Sequence, residues 1–183
     1  MILTDREIQI AIQEGNLTIT PPPGPDAYSS TSVDLTLGRT FAEWQAVQGS
    51  LIRPGAPGFK YTNFVRNQTI KEDDTYFLAP RSFVLAWTTE FIAIPLSSRL
   101  AARVEGKSSL ARLGFGVHLT APTIHCGFKG NIQLEVCNSG PNEIILDAGM
   151  HICQLIFEQT AGTPEKGYQG FALGQTPGQA RGG

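Results

Sequence analysis

The sequence predicts a mainly β protein of short strands with a single helix at its front. Three observations carry that prediction. Glycine (20) and proline (12) are plentiful among 183 residues, while apolar residues make up 41%, a balance that suits strands and turns better than a helical bundle. Apolar residues alternate with polar ones from about residue 75 onward, in short runs punctuated by Pro or Gly. The one stretch with helical spacing lies at the N-terminus. A chain of this length makes one domain with a real core. We assign residues 1–158 to that domain. Residues 159–183, rich in Gly, Gln and Pro, form a tail with little apolar content, expected to be mobile when free.

Each element follows from its residues. Thr4 followed by Glu7 makes a capping box before "IQIAIQEG", and Gly15 is a natural stop. Ile8, Ala11 and Ile12 fall on one face, so a short amphipathic helix is expected over 5–14. "NLTIT" reads as a strand and "PPPGPDAYSS" as a rigid loop. In "TSVDLTLGRT" Val33, Leu35 and Leu37 alternate with polar residues, the signature of a half-buried strand. Further strands are expected at "TYFLAP", "SFVLAWTTEFIAIP", "LAARVEG", "GVHLTA", "GNIQLEVCNSG", "NEIILDAGM" and "HICQLIFEQ". So many short strands suggest a closed sandwich or barrel, not a parallel sheet.

Charge and cysteine usage narrow the function classes. Formal charge is -2 without a basic block, so nucleic acid is not an expected partner. An anionic small molecule needs only one local cluster of Lys and Arg. Cys126, Cys137 and Cys153 are odd in number and lack CxxC spacing, which points to reduced thiols rather than a disulfide framework or a zinc knuckle. No apolar run approaches the roughly 20 residues of a membrane span. The start, "MILTDREIQIAIQEG", has acids where a signal peptide would be basic and then apolar. A soluble, cytoplasmic protein without membrane contact is the expectation.

The stretch "ARVEGKSSLARLG" tests for a phosphate-binding P-loop. That loop needs a Gly five positions before its Gly-Lys-Ser and a helix after it. Ala101 occupies the first position, and strand-like sequence follows. The P-loop reading therefore fails. Yet "EGKSSLAR" gathers Glu105, Lys107, Ser108, Ser109 and Arg112 into eight positions. Two cations, two hydroxyls and accessible backbone amides make a competent triphosphate cradle, and equally a solvated turn.

In "NIQLEVCN", Ile132, Leu134 and Val136 share one face, and Gln133, Glu135 and Cys137 the other. If that second face lines a pocket, Glu135 is a carboxylate on a rigid strand, suited to moving protons. A zinc deaminase would need His-x-Glu and Pro-Cys-x-x-Cys, and none of His118, His125 and His151 stands in that context. Cys126 lies in no Cys-His-Asn arrangement and reads as a small buried hydrophobe.

Together these residues resemble the dCTP deaminase branch of the dUTPase-like superfamily, with this chain as a divergent member. The resemblance runs from "MILTDREIQIAIQEG" through "SVDLTLG" to "GYQGFALGQ". Its most specific part is "EGKSSLARLGFGVHLTAPTIHCGFKGNIQLEVCNSG", followed by "LDAGMHICQLIFE". The family pattern there is close to E-G-R-S-S-x-A-R-x-G, then H-x-T-A-x-x-I-D-P-G-F-x-G-x-I-x-L-E. The resemblance implies a distorted β-barrel or jelly roll, assembled as a homotrimer with sites between subunits and closed by the C-terminal tail. It implies deamination of a pyrimidine deoxynucleotide, dCTP to dUTP, without zinc, and with magnesium carried by the triphosphate. Glu135 matches the proton-shuttling glutamate. Ser108 and Ala121 match positions that hold the attacking water, and Arg112 the arginine that supports it. Lys107, Ser109, His125, Gln133, Leu134, Tyr168 and Gln175 are the implied nucleotide-binding residues.

Departures from the pattern bear on specificity. His125 and Cys126 stand where the family has Asp-Pro. That Asp activates water against phosphate in dUTPases and contacts the sugar 3′-hydroxyl in deaminases, so its loss argues against dUTP pyrophosphatase activity and against release of dUMP. Lys107 replaces an arginine, turning a bidentate fork into a point charge. In the tail Tyr168 and Gln175 match, but Phe171 and Ala172 replace Lys and Tyr. Loss of a lid cation weakens triphosphate binding by about 1–3 kcal/mol if it made a charge-assisted bond. The rival reading is a catalytically weakened relative that binds a pyrimidine nucleotide in a regulatory or structural role.

Overall fold

The computed structural model of the protein describes residues 1–46, 49, 51–71 and 74–168. The expected capping box forms at its start. The Glu7 carboxylate accepts the Thr4 hydroxyl, and the Thr4 amide as well at 3.1 Å. These two donors hold the Glu7 carboxyl below the usual carboxylate range. They open helix α1, Asp5–Gln13, which buries Ile8 and Ala11 against the sheet core. Gly15 then takes a φ of +73°, a left-handed turn that costs glycine little.

The strands follow in chain order: β1 Thr18–Thr20, β2 Tyr28–Ser29, β3 Ser32–Trp44, β4 Val65–Thr69, β5 Thr75–Leu78, β6 Ser82–Ala93 and β7 Leu100–Gly106. A one-turn helix, α2 Ser108–Ala111, precedes β8 Phe115–Gly116, β9 Lys129–Asn138, β10 Ile144–Asp147 and β11 His151–Gln159. The main sheet runs β7-β11-β3-β6-β9-β8, with β1 on β6 and both β2 and β4 on β3. Each of these pairings is antiparallel. A separate antiparallel pair, β5 with β10, completes the strands. After β8 the chain swings across to β7, where Ile124 and Ala102 exchange hydrogen bonds of 2.8 and 2.9 Å. That bridge brings the two ends of the sheet together and nearly closes it into a barrel.

Alternation sets which side chains fill the barrel. On β3, Val33, Leu35 and Leu37 are fully buried; on β9, Ile132, Leu134 and Val136 face the same core. Leu155 and Phe157 of β11 join them. Gly38 lies where β3 crosses closest to β6, since a Cβ there would stand 2.8 Å from the Trp87 carbonyl oxygen. The register of the two strands shifts at that crossing, between Leu37 and Phe41.

Two expectations change. "GVHLTA" does not continue as a strand. Only Phe115 and Gly116 pair with β9, and the Val117 carbonyl accepts the Glu135 amide at 3.0 Å. The amides of Leu119 and Thr120 then turn toward the Glu135 side chain, which removes them from any ladder. Conversely, β3 runs on to Trp44 and pairs with β4, an element without visible alternation in "VRNQT". The extension is held by a second apolar cluster on the outer face of the sheet, Ala42, Leu85 and Trp87, covered by Tyr61, Val65 and Phe83. Beyond β11, the Thr160 amide donates to the Arg99 carbonyl and the Tyr168 amide to that of Cys126. Residues 169–183 of the expected lid lie outside the described residues.

Candidate active site at the barrel seam

The seam between β7 and β9, where the chain crosses from one end of the sheet to the other, encloses a cavity of about 240 Å³. Val104, Ile124, Phe128, Ile132 and Leu134 give it an apolar floor. His118, Thr120, Ala121, Gln133 and Glu135 supply its polar or open side. Strand alternation accounts for Glu135: its neighbours Leu134 and Val136 are buried, and it is left half-buried on the other face.

Glu135 is the best-held polar group of the site. Its Oε2 accepts the backbone N–H of Leu119 at 2.9 Å and of Thr120 at 3.0 Å. Two donors on one oxygen fix the carboxylate's orientation, and Oε1 has no protein hydrogen bond among the described residues. A carboxylate anchored through one oxygen and open at the other can take and return a proton at a fixed point. Ala121 lies directly after this turn, its small side chain on the cavity wall.

The other candidates divide into two groups. Gln133 and Leu134 line the cavity beside Glu135. The Gln133 amide also reaches the Tyr61 hydroxyl at 3.3 Å. Tyr168 closes one side: its amide donates to the Cys126 carbonyl at 2.7 Å, and its ring stands edge-on to Phe128 at 5.6 Å. Gly127, at φ +87°, permits this approach, because a Cβ there would lie 3.0 Å from the Tyr168 nitrogen. Lys107, Ser108, Ser109 and Arg112 belong to the second group. They sit on or beside α2, outside the cavity lining of their own chain, with Ser108, Ser109 and Arg112 exposed. His125 is exposed and also outside the lining, next to buried Cys126. Gln175, with Phe171 and Ala172, lies outside the described residues.

Sequence reasoning passed over His118, which lines the cavity with Nδ1 buried and unpaired among the described residues. Its only sequence signal was its place at the head of "HLTA". Tyr61 had none, since its partner Gln133 is 72 residues away. Burial pushes the Cys153 thiol well up, with the nearby Glu90 charge adding to it, so this thiol is inert at neutral pH. Among the described residues no three His, Cys, Asp or Glu side chains converge as a metal site.

A nearly closed antiparallel barrel of this topology is the dUTPase-like architecture. The structure of a point mutant of the dUTPase of phage phi11 of S. aureus shares this fold, with a TM-score of 0.50 at 11% identity over 85% of this chain and 97% of that one. A nearer match in shape is the crystal structure of 2′-deoxycytidine 5′-triphosphate deaminase from Agrobacterium tumefaciens, with a TM-score of 0.66 at 21% identity over 86% of this chain. This chain covers 48% of that protein's length, so the likeness concerns about half of it. The sequence model of the dCTP deaminase-like family matches residues 2–160, and the chain belongs to that family. Its relatives include the dUMP-forming dCTP deaminase of Methanosphaera stadtmanae, 35% identical over 91% of this chain and 83% of that protein. The dCTP deaminase of Rhodospirillum rubrum is 37% identical over 92% and 87%. That of Pseudoalteromonas atlantica is 39% identical over 92% and 86%.

Proposed function

We propose that this chain removes the 4-amino group of the cytosine in dCTP, or in a close deoxycytidine nucleotide, by hydrolysis. The observation that carries this reading is Glu135, a half-buried carboxylate held through one oxygen on the wall of an apolar cavity, in a chain of the dCTP deaminase-like family. Water adds to C4 and gives a proton to Glu135. The carboxyl returns that proton to ring N3, then takes the proton of the new C4 hydroxyl and passes it to the amino nitrogen, so that C4=O forms as the C4–N bond breaks and ammonia leaves. The balance is dCTP plus water giving dUTP plus ammonia.

Ser108 and Ala121 hold the attacking water in this scheme, and Arg112 supports it. Gln133, Leu134, His125, Tyr168 and Gln175 hold the base and sugar, while Lys107 and Ser109 hold phosphate oxygens. No zinc acts at C4, and magnesium arrives with the triphosphate. The separation of Ser108 and Arg112 from the cavity of their own chain favours a homotrimer, in which α2 of one copy completes the cavity of the next. The dUTP product is favoured by His125, which stands in place of a carboxylate able to activate water against phosphate. The Methanosphaera relative, named as dUMP-forming, favours a second reading with dUMP as product.

The test is ammonia release from dCTP, dCMP, CTP and 5-modified dCTPs with magnesium, with the uracil product separated by chromatography. Release from dCTP with dUTP as product is the expected result, and dUMP would select the second reading. Silence from a folded protein across the whole panel would favour a nucleotide-binding relative without catalysis.

A further inference from the structure

Lys107 already has a partner within its own chain. Its ammonium forms a close ion pair with Oδ2 of Asp34, and the same oxygen stands 3.2 Å from Nδ1 of His151. Asp34 comes from β3, His151 from the first position of β11, and Lys107 from the residue after β7 ends. Their register explains the meeting. Gln154 of β11 stands opposite both Asp34 and Glu105, so Lys107, two positions beyond Glu105, reaches back over β11. Gln154 ties the base of this segment down. It accepts the Ser32 hydroxyl at 2.8 Å and donates to the Gly106 carbonyl at 3.2 Å.

Exposure across the trio is graded. The Asp34 side chain is 11% exposed, Lys107 27% and His151 45%. A carboxylate that enclosed needs a charged or hydrogen-bonding partner, so it holds Lys107 from the protein side. An ammonium has three N–H donors on a flexible stem. With one donor spent on Asp34, two remain for the open side. The other ionisable groups near Asp34 do not compete for the lysine. Glu90 of β6 takes the Thr36 amide and hydroxyl, Glu105 pairs with Arg103, and Cys153 is a buried thiol.

An arginine brings its own rigid fork, whereas a lysine takes its direction from what holds it. We propose that Asp34 is a positioning residue for Lys107, directing its remaining donors to the phosphates of the nucleotide, with His151 steadying the same carboxylate. The proposal rests on the reading of Lys107 as a phosphate ligand.

The test measures dissociation constants for dCTP and dCMP, melting temperature, and kcat and KM for dCTP in the full chain. Asp34→Asn should weaken dCTP binding about tenfold and dCMP binding less than about twofold, with the kinetic loss falling on KM. Adding Lys107→Arg to Asp34→Asn should recover most of the dCTP affinity, which a merely structural role for Asp34 would not allow. His151→Gln should weaken dCTP about two- to threefold. Unchanged or tighter dCTP binding in Asp34→Asn would overturn the proposal, since the carboxylate would then compete with phosphate. So would equal losses for both nucleotides with a lowered melting temperature and no rescue. Should Asp34→Asn not fold, unchanged dCTP affinity in His151→Gln overturns it. If Lys107→Ala leaves dCTP affinity intact, the phosphate reading itself fails, and the positioning role with it. If Lys107→Ala weakens dCTP and Asp34→Asn does not, only the positioning role falls.

Discussion

The wall of the seam cavity around Glu135 and the exposed turn around α2 are both rich in polar side chains, yet they are built in opposite ways. Glu135 sits on a ten-residue strand hydrogen-bonded to β6, and two backbone amides of its own chain fix its carboxylate. The α2 segment is one turn long and leaves Ser108, Ser109 and Arg112 exposed, while Lys107 beside it is tied down through Asp34. Under the proposed function the contrast is a division of labour. The group proposed to act at one atom is oriented by backbone within its own chain, and the groups proposed to bind charged oxygens or to serve a neighbouring copy are carried outward on a short element.

Removing the proposed reacting group breaks this comparison most severely. Glu135→Gln keeps an oxygen for the Leu119 and Thr120 amides but loses the titrating function, so kcat should fall by about 10²–10⁴. Calorimetry should still detect nucleotide binding. An active Glu135→Gln protein would remove the proton-shuttle role. The strand beneath is the next target. Leu134 is 1% exposed and lines the cavity floor, so Leu134→Ala should cost about 2–5 kcal/mol of stability in denaturant unfolding. The same enlargement should raise KM.

Mixing variants sharpens the contrast between the two regions. Arg112→Ala and Glu135→Gln chains, each inactive alone, should regain roughly a quarter of the native activity when unfolded together and reassembled, because some sites then take both native groups from different copies. No recovery in trimers would place both groups in one chain's site. The smallest effect lies away from both regions. Tyr76 stacks on Phe41 and donates to Glu43 at 3.1 Å. Burial, with the Glu43 charge adding to it, pushes its phenol up to about 12. A native state that keeps this proton loses stability as pH rises from the ordinary tyrosine range near 10 toward about 12. Tyr76→Phe should flatten that decline in melting temperature.

Much of the barrel was legible because its determinants are local. Thr4 and Glu7 mark the helix start three residues apart, and the alternation of Ile132, Leu134 and Val136 already separates Glu135 from the core. What stayed hidden depends on residues distant in sequence. Val117 and Leu119 keep the apolar alternation of a strand, but Leu119 is 67% exposed because its amide is taken by a carboxylate 16 residues away. β4 carries no pattern of its own and is a strand because β3 offers it an edge. The pairing of Asp34 with Lys107 spans 73 residues, so nothing near either residue announces it. His118 was weighed only as a zinc ligand and thus passed over.

In the proposed reaction water attacks C4 of cytosine and not phosphorus. Turnover of dCTP in ¹⁸O-labelled water, with the products read by mass spectrometry, tests it directly. Attack at C4 places one ¹⁸O atom at the O4 position of the uracil in dUTP, matched by one ammonia released, with no label in phosphate. Label appearing in phosphate with the cytosine amine intact would contradict it.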